Sequence, residues 1–252
     1  MKIFVVDKYS IITVVLVLVL VIAILPMGII DSTPASSGAN RELPIYSVET
    51  DQKVVSVTFD SAWNDDDIGD IIKILEKYNC KSTFFATGEW IDKYPASAKM
   101  LADAGHEVAN HSDTHAHFNS MSPDEMKKDM DECDRKILEV TGQENNLFRA
   151  PYGEYNDKLI RACRETGRYP IQWDVDSLDY KDLSASQMLE RILPKLKNGS
   201  ILLFHNGTKN TAAALPQILE RITREGYSFK PAGELIYKED YRINHEGRQI
   251  KS

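Results

Sequence analysis

Apolar residues follow two regimes along the chain. Residues 11–30 form a run rich in Val, Leu and Ile without a single charged side chain. A helix of ~20 residues at 1.5 Å each spans the ~30 Å hydrocarbon core of a bilayer. Further on, short apolar runs of strand length alternate with stretches at helical spacing. Residues 54–59 predict a strand, and Ile68, Ile71, Ile72 and Leu75 one face of a helix. Strands at 82–86 and 107–109 flank a helix over 96–104 that Gly105 closes. Ser122-Pro123-Asp124-Glu125 has the Ser, early Pro and Glu of a capping box, opening a helix to about Val140 before Gly142. Strands at 147–148, 171–173, 200–204 and 228–229 then alternate with helices at 157–166, 185–196 and 213–224.

This order divides the chain into a cytoplasmic N-terminus (1–10), a membrane anchor (11–30), a stalk rich in Ser, Pro, Gly and Asn at its start (31–52), a folded domain (53–237) and a polar, solvated tail (238–252). Strands alternating with helices imply parallel pairing, in a barrel or a doubly wound sheet. In either fold, reactive side chains belong at the C-terminal ends of the strands.

Composition narrows the function. With 42% hydrophobic and 27% charged residues, the chain of 252 is neither disordered nor a multi-span membrane protein. Its net charge is −8, and no run of Lys or Arg is interleaved with aromatics, which argues against nucleic acid as a partner. Lys2 and Lys8 precede the apolar run and Asp31 follows it, so the positive-inside rule puts the domain outside the cell. A cleaved signal peptide is the competing reading; its cleavage site would be the loose match Ala35-Ser36-Ser37. Cys80, Cys133 and Cys163 are an odd number without C-x-x-C spacing, which speaks against a disulfide framework.

The unusual polar residues fall where the strands end. Asp60 follows the first strand, and taken alone it could equally begin a turn. His111 and His115 follow the strand at 107–109, spaced so that two imidazoles could meet one metal, and they lack the Glu of H-E-x-x-H. Arg149 stands in Arg149-Ala150-Pro151-Tyr152-Gly153, Asp179 in Leu178-Asp179-Tyr180, and His205 ends Leu203-Phe204-His205. In this order the set resembles the polysaccharide deacetylases of the NodB homology family, carbohydrate esterase family four, over about Lys53 to Tyr237.

The resemblance implies a distorted (β/α) barrel of about seven parallel strands behind the single N-terminal transmembrane helix. It implies a metal-dependent hydrolase that removes N-acetyl groups from an amino-sugar polymer of the cell wall, as a monomer held at the membrane. Asp60, from the first motif T-F-D-D-G, would be the base and His205 the acid. Arg149 would hold the base, and Asp179 would orient the acid. His111 and His115, from H-S/T-x-x-H, would bind a divalent ion, Zn²⁺ or else Co²⁺ or Ni²⁺. Tyr152, Tyr180, Leu203 and Trp63 would line the substrate groove, with the Tyr152 N–H at the oxyanion. Phe59-Asp60-Ser61-Ala62-Trp63 looks like the F-D-x-x-W first motif of a membrane-anchored, sporulation-associated branch. Two departures stand out: Ser61 replaces the ligand Asp of the first motif, and Tyr180 replaces the usual Trp of the fourth. Asp65, Asp66 or Asp67, or Asp60 itself, could supply the missing oxygen, but the acidic triplet reads first as a helix start that meets the helix dipole. The reading from another class is a wall-glycan-binding protein that keeps the groove and has lost the metal.

Overall fold

The computed structural model describes residues 41–252. The expected cytoplasmic segment and anchor lie outside the described residues, among which no helix is long and apolar enough to cross a membrane. The strands are β1 (Ser47–Val48), β2 (Val54–Ser61), β3 (Thr83–Ala86), β4 (Glu107–Asn110), β5 (Leu147–Phe148), β6 (Tyr169–Pro170), β7 (Val175–Asp176), β8 (Ile201–His205), β9 (Ser228–Phe229), β10 (Tyr241–Ile243) and β11 (Arg248–Lys251). The helices are α1 (Ile68–Lys77), α2 (Gly88–Lys93), α3 (Pro95–Asp103), α4 (Pro123–Thr141), α5 (Asp157–Glu165), α6 (Ala185–Ile192), α7 (Thr211–Arg224) and α8 (Ala232–Leu235).

Seven parallel strands pair in the order β6-β5-β4-β3-β2-β8-β7, and β9 pairs with the start of β2. All eight residues of β2 are buried, as befits the centre of a sheet covered on both faces. Val55, Val57 and Phe59 face outward onto Ile68, Ile71 and Leu75 of α1 and Leu215, Ile218 and Ile222 of α7. Val54 faces the other way, into a smaller core with Phe85, Ala109, Leu147, Ile171 and Ile201. This alternation puts Asp60, an even position, on the interior side. The predicted capping box is formed: the Ser122 hydroxyl accepts the Glu125 N–H, and the Glu125 carboxylate accepts the Ser122 N–H at 2.8 Å.

The strand path is open between β6 and β7, and a segment from the far end of the chain lies in that opening. Ile45 bridges Ile171, donating its N–H to the Pro170 carbonyl (2.8 Å) and accepting the Gln172 N–H (2.7 Å). Ser47 bridges Ser200, and the Val48 N–H donates to the Gly199 carbonyl (2.9 Å). Gly199 has φ +78°, and a Cβ there would sit 1.8 Å from the Val48 oxygen, so this crossing requires glycine.

The boundaries differ from those expected. The compact unit runs from Arg41 to Ser252. Residues 45–48, expected in the stalk, close the sheet, and the expected tail contributes β10 and β11 to a second sheet of order β1-β11-β10. Strands of two to four residues among charged neighbours carry too little alternation to register in a sequence. The strand expected at 171–173 is instead two strands, β6 and β7, on either side of it.

Candidate active site

Parallel register sets the frame of the site. Asp60 and His205 are Cα partners across β2 and β8, so a carboxylate and an imidazole end adjacent strands on one face. Around them is a cleft of about 490 Å³ lined by Asp60, Trp63, His111, His115, Tyr152, Trp173, Asp176, Tyr180, Leu203 and His205, among others.

Arg149 Nη1 donates to Asp60 Oδ1 at 2.7 Å, and Nη2 donates to the Gln172 carbonyl at 3.3 Å. The guanidinium is fully buried, 3.9 Å from the centre of the Phe85 ring. Burial works against charge on Asp60, but the Arg149 cation bonded to it holds the carboxyl below its ordinary range. Asp60 is therefore ionised at neutral pH, as a base must be.

Across the cleft, His205 Nδ1 is 2.8 Å from Asp179 Oδ1. The Asp179 carboxylate is wholly buried and also accepts the His205 N–H (2.7 Å), the Tyr180 N–H (3.0 Å) and the Thr211 hydroxyl (2.6 Å). Burial pushes the His205 pKa down, and the Asp179 hydrogen bond and charge push it further up, leaving it above the ordinary histidine value. Trp63 stacks on the His205 ring at 5.2 Å, and Tyr180 meets its edge at 5.4 Å.

The loop after β4 turns through left-handed residues at Ser112 (φ 76°) and His115 (φ 54°). Asp129 on α4 holds it, accepting the N–H of Asp113 (2.8 Å) and the Thr114 hydroxyl (2.9 Å). Asp129 went unread in the sequence, though it had a signal: a carboxylate in register with Met126, Met130 and Cys133 on a buried helix face needs a partner. His111 donates Nδ1–H to the Arg149 carbonyl (2.8 Å), which leaves the Nε2 lone pair facing the cleft, 3.5 Å from Asp60 Oδ2. Burial lowers the pKa of His111, and burial with the neighbouring His111 takes His115 to about 4, so both rings are neutral.

These two imidazoles suit the ion that the resemblance implies, and the third place does not. The Ser61 hydroxyl is buried and finds no hydrogen-bond partner among the described residues. The acidic triplet is engaged elsewhere: Asp65 accepts the Ser97 hydroxyl (2.5 Å), Asp67 takes the Gly207 N–H (2.9 Å) and Asp66 is exposed. Among the described residues no three His, Cys, Asp or Glu side chains converge to hold an ion. The donor set does not fit a three-ligand metal site.

Tyr152 and Tyr180 stand exposed on the rim, while Leu203 lies buried in the cleft floor. His117 stacks on Tyr152 at 4.2 Å. Asp176 also lines the cleft, as does Trp173, a role that sequence reasoning did not assign to the tryptophan.

The family profile described as Polysaccharide deacetylase matches residues 47–171. The chain superposes with a TM-score of 0.74 on BA3943, described as a CE4 family pseudoenzyme from Bacillus anthracis, at 30% identity over 83% of this chain and 73% of that one. The chain belongs to the polysaccharide deacetylase family. The structure of peptidoglycan deacetylase PdaC from Bacillus subtilis also matches this polysaccharide deacetylase fold, with a TM-score of 0.67 and 30% identity over 75% of this chain and 92% of that one. Among curated deacetylases, peptidoglycan-N-acetylmuramic acid deacetylase PdaA of Bacillus subtilis is 24% identical over 79% of this chain and 77% of its own length. A BA3943 mutant is described as having restored enzymatic activity.

Proposed function

We propose that this protein hydrolyses N-acetyl groups on an amino-sugar polymer of the bacterial cell wall, with Asp60 as base and His205 as acid. The observation that carries the reading is the pairing of Asp60 with Arg149 and of His205 with Asp179 at adjacent strand ends over one cleft. A sugar-binding surface alone needs neither an ionised carboxylate nor a histidine whose pKa a buried carboxylate raises. Asp60 takes a proton from water as its oxygen attacks the acetyl carbonyl carbon. The Tyr152 N–H meets the developing oxyanion, and His205 gives its proton to the departing amine nitrogen. Acetate and a free amine result, and the amine picks up a proton beside Asp176. Trp63, Tyr152 and Tyr180 offer flat faces to sugar rings.

The setting we infer is a monomer attached to the membrane through residues 11–30 with the cleft outside the cell, and the relatives that act on peptidoglycan support the choice of polymer. The test is acetate release from peptidoglycan and from N-acetylglucosamine oligomers by the whole chain, with Zn²⁺, Co²⁺ or Ni²⁺ supplied. Asp60→Asn should lower release by about 100-fold or more. No release from any substrate with any of the three ions would overturn the reading. Ser61 favours a second reading, a glycan-binding protein without turnover, and the pseudoenzyme BA3943 is a precedent within the fold. Oligomer binding with no acetate, together with less than about 0.1 equivalent of zinc bound, would establish it.

A further inference from the structure

The loop that carries Tyr152 is held from outside the family core. Tyr152 has φ 61° and Gly153 φ 66°, two consecutive left-handed residues, and a non-glycine residue keeps such a conformation only where its surroundings impose it. On one side His117 stacks on Tyr152 and its Nδ1 lies 3.1 Å from Glu154 Oε1. On the other, Tyr155 is gripped by the segment that enters the domain. Arg41 Nη2 donates to the Tyr155 carbonyl at 3.0 Å, and the Arg41 guanidinium lies 4.3 Å from the centre of the Tyr155 ring. The Tyr46 hydroxyl donates to the Tyr155 hydroxyl at 3.2 Å. The segment is itself fixed: the Tyr46 N–H donates to the Gly247 carbonyl (2.8 Å), and the Glu42 carboxylate pairs with Arg161 at 2.7 Å and Arg164 at 3.0 Å.

We propose that Arg41 and Tyr46 are positioning residues that fix the Tyr152 loop in its cleft-lining conformation by holding Tyr155. Both precede residue 47, where the family match begins. The segment leading into the domain thereby also sets one wall of its cleft. The proposal rests on the reading of Tyr152 as part of the glycan-binding wall. Arg41 brings a ring-facing cation and a hydrogen bond to the same residue, and Tyr46 brings a second hydrogen bond from the opposite end of that ring, so Tyr155 can neither swing nor slide.

The test compares the whole chain carrying Arg41→Ala with Tyr46→Phe against the parent and against Glu42→Gln, which loosens the segment from α5 without touching Tyr155. The first readout is amide exchange at Gly153 and Glu154, whose N–H groups donate to the carbonyls of Ala150 and Pro151. The second is affinity for an N-acetylglucosamine tetramer, with kcat and KM where turnover is present. The double variant should exchange these two amides at least about fivefold faster and bind the tetramer about three- to tenfold more weakly, and Glu42→Gln should do neither. Arg41→Lys, which keeps the cation, should recover part of the loss. Unchanged exchange in the double variant overturns the proposal. Faster exchange with unchanged affinity also overturns it, as does an equal effect from Glu42→Gln, which would make the segment a general brace. A parent that binds no tetramer refutes the glycan reading of the cleft and the positioning proposal with it. A parent that binds without releasing acetate refutes only the deacetylase reading.

Discussion

At the scale of single residues, the Ser61 hydroxyl separates the metal-binding corner of this site from the one its motifs imply. Ser61→Asp would put a carboxylate at a fully buried position. Without an ion that charge is uncompensated and costs several kcal/mol, and with one it completes a two-histidine, one-carboxylate set. The variant should therefore melt below the parent in chelator, rise on addition of Zn²⁺ and bind zinc at least about tenfold more tightly. Equal zinc affinity in the two chains, measured by calorimetry, would show that position 61 is not what limits binding. His205 supplies a second prediction. Its raised pKa means that the protonated acid persists above the ordinary value of about 6.5, and turnover should fall only as pH rises beyond that. Asp179→Asn removes the hydrogen-bonded charge that opposes burial, so the alkaline limb of the pH profile should move to lower pH. Asp60 has the opposite sign: its depressed pKa contributes stability that is present above the unfolded value of about 3.9 and lost as pH falls through the folded one. The motif residues were legible in the sequence because each chemical type stands at a strand end. The engagement of Asp65 with Ser97 and of Asp67 with Gly207 was not, because those partners lie 32 and 140 residues away.

At the scale of elements, the site depends on helices and loops that touch no substrate. Among the described residues Arg149 is the only guanidinium bonded to Asp60, so Arg149→Ala would strand a buried carboxylate and should cost about 3–5 kcal/mol in urea unfolding. Asp129→Ala on α4 would leave two N–H groups and the Thr114 hydroxyl without their acceptor. A loss of about 1–3 kcal/mol should accompany weaker presentation of His115, which is read by comparing urea midpoints and zinc binding in a Ser61→Asp background. The long helices and β2 were legible because they are periodic and capped over many residues. The helix α2 and the strands β6 and β7 were not, because each is short enough that its pairing decides its conformation.

At the scale of the whole molecule, the two ends of the described chain are tied together. β1 pairs in parallel with β11, Ser47 opposite Arg248, and Gln249 is wholly buried with its side chain bonded to the Tyr237 backbone. A chain stopped after Gly247 should therefore unfold at lower urea than the full chain, although it loses only what looks in sequence like a charged tail. An unchanged midpoint would show that β11 is ornamental. Sequence patterning placed the domain but not its edges, because this closure pairs segments about 200 residues apart and leaves no local trace.

The opening between β6 and β7 also has a consequence for how the protein is made. The segment that fills it, residues 45–48, is synthesised before every strand it meets, and β1 gains β11 as a neighbour only when Arg248 and Gln249 emerge. Contacts of such sequence separation form late and slow the final step of folding. A ribosome-bound intermediate halted before Arg248 should thus leave β1 without its β11 neighbour and more open to protease at Ser47 and Val48 than the full chain.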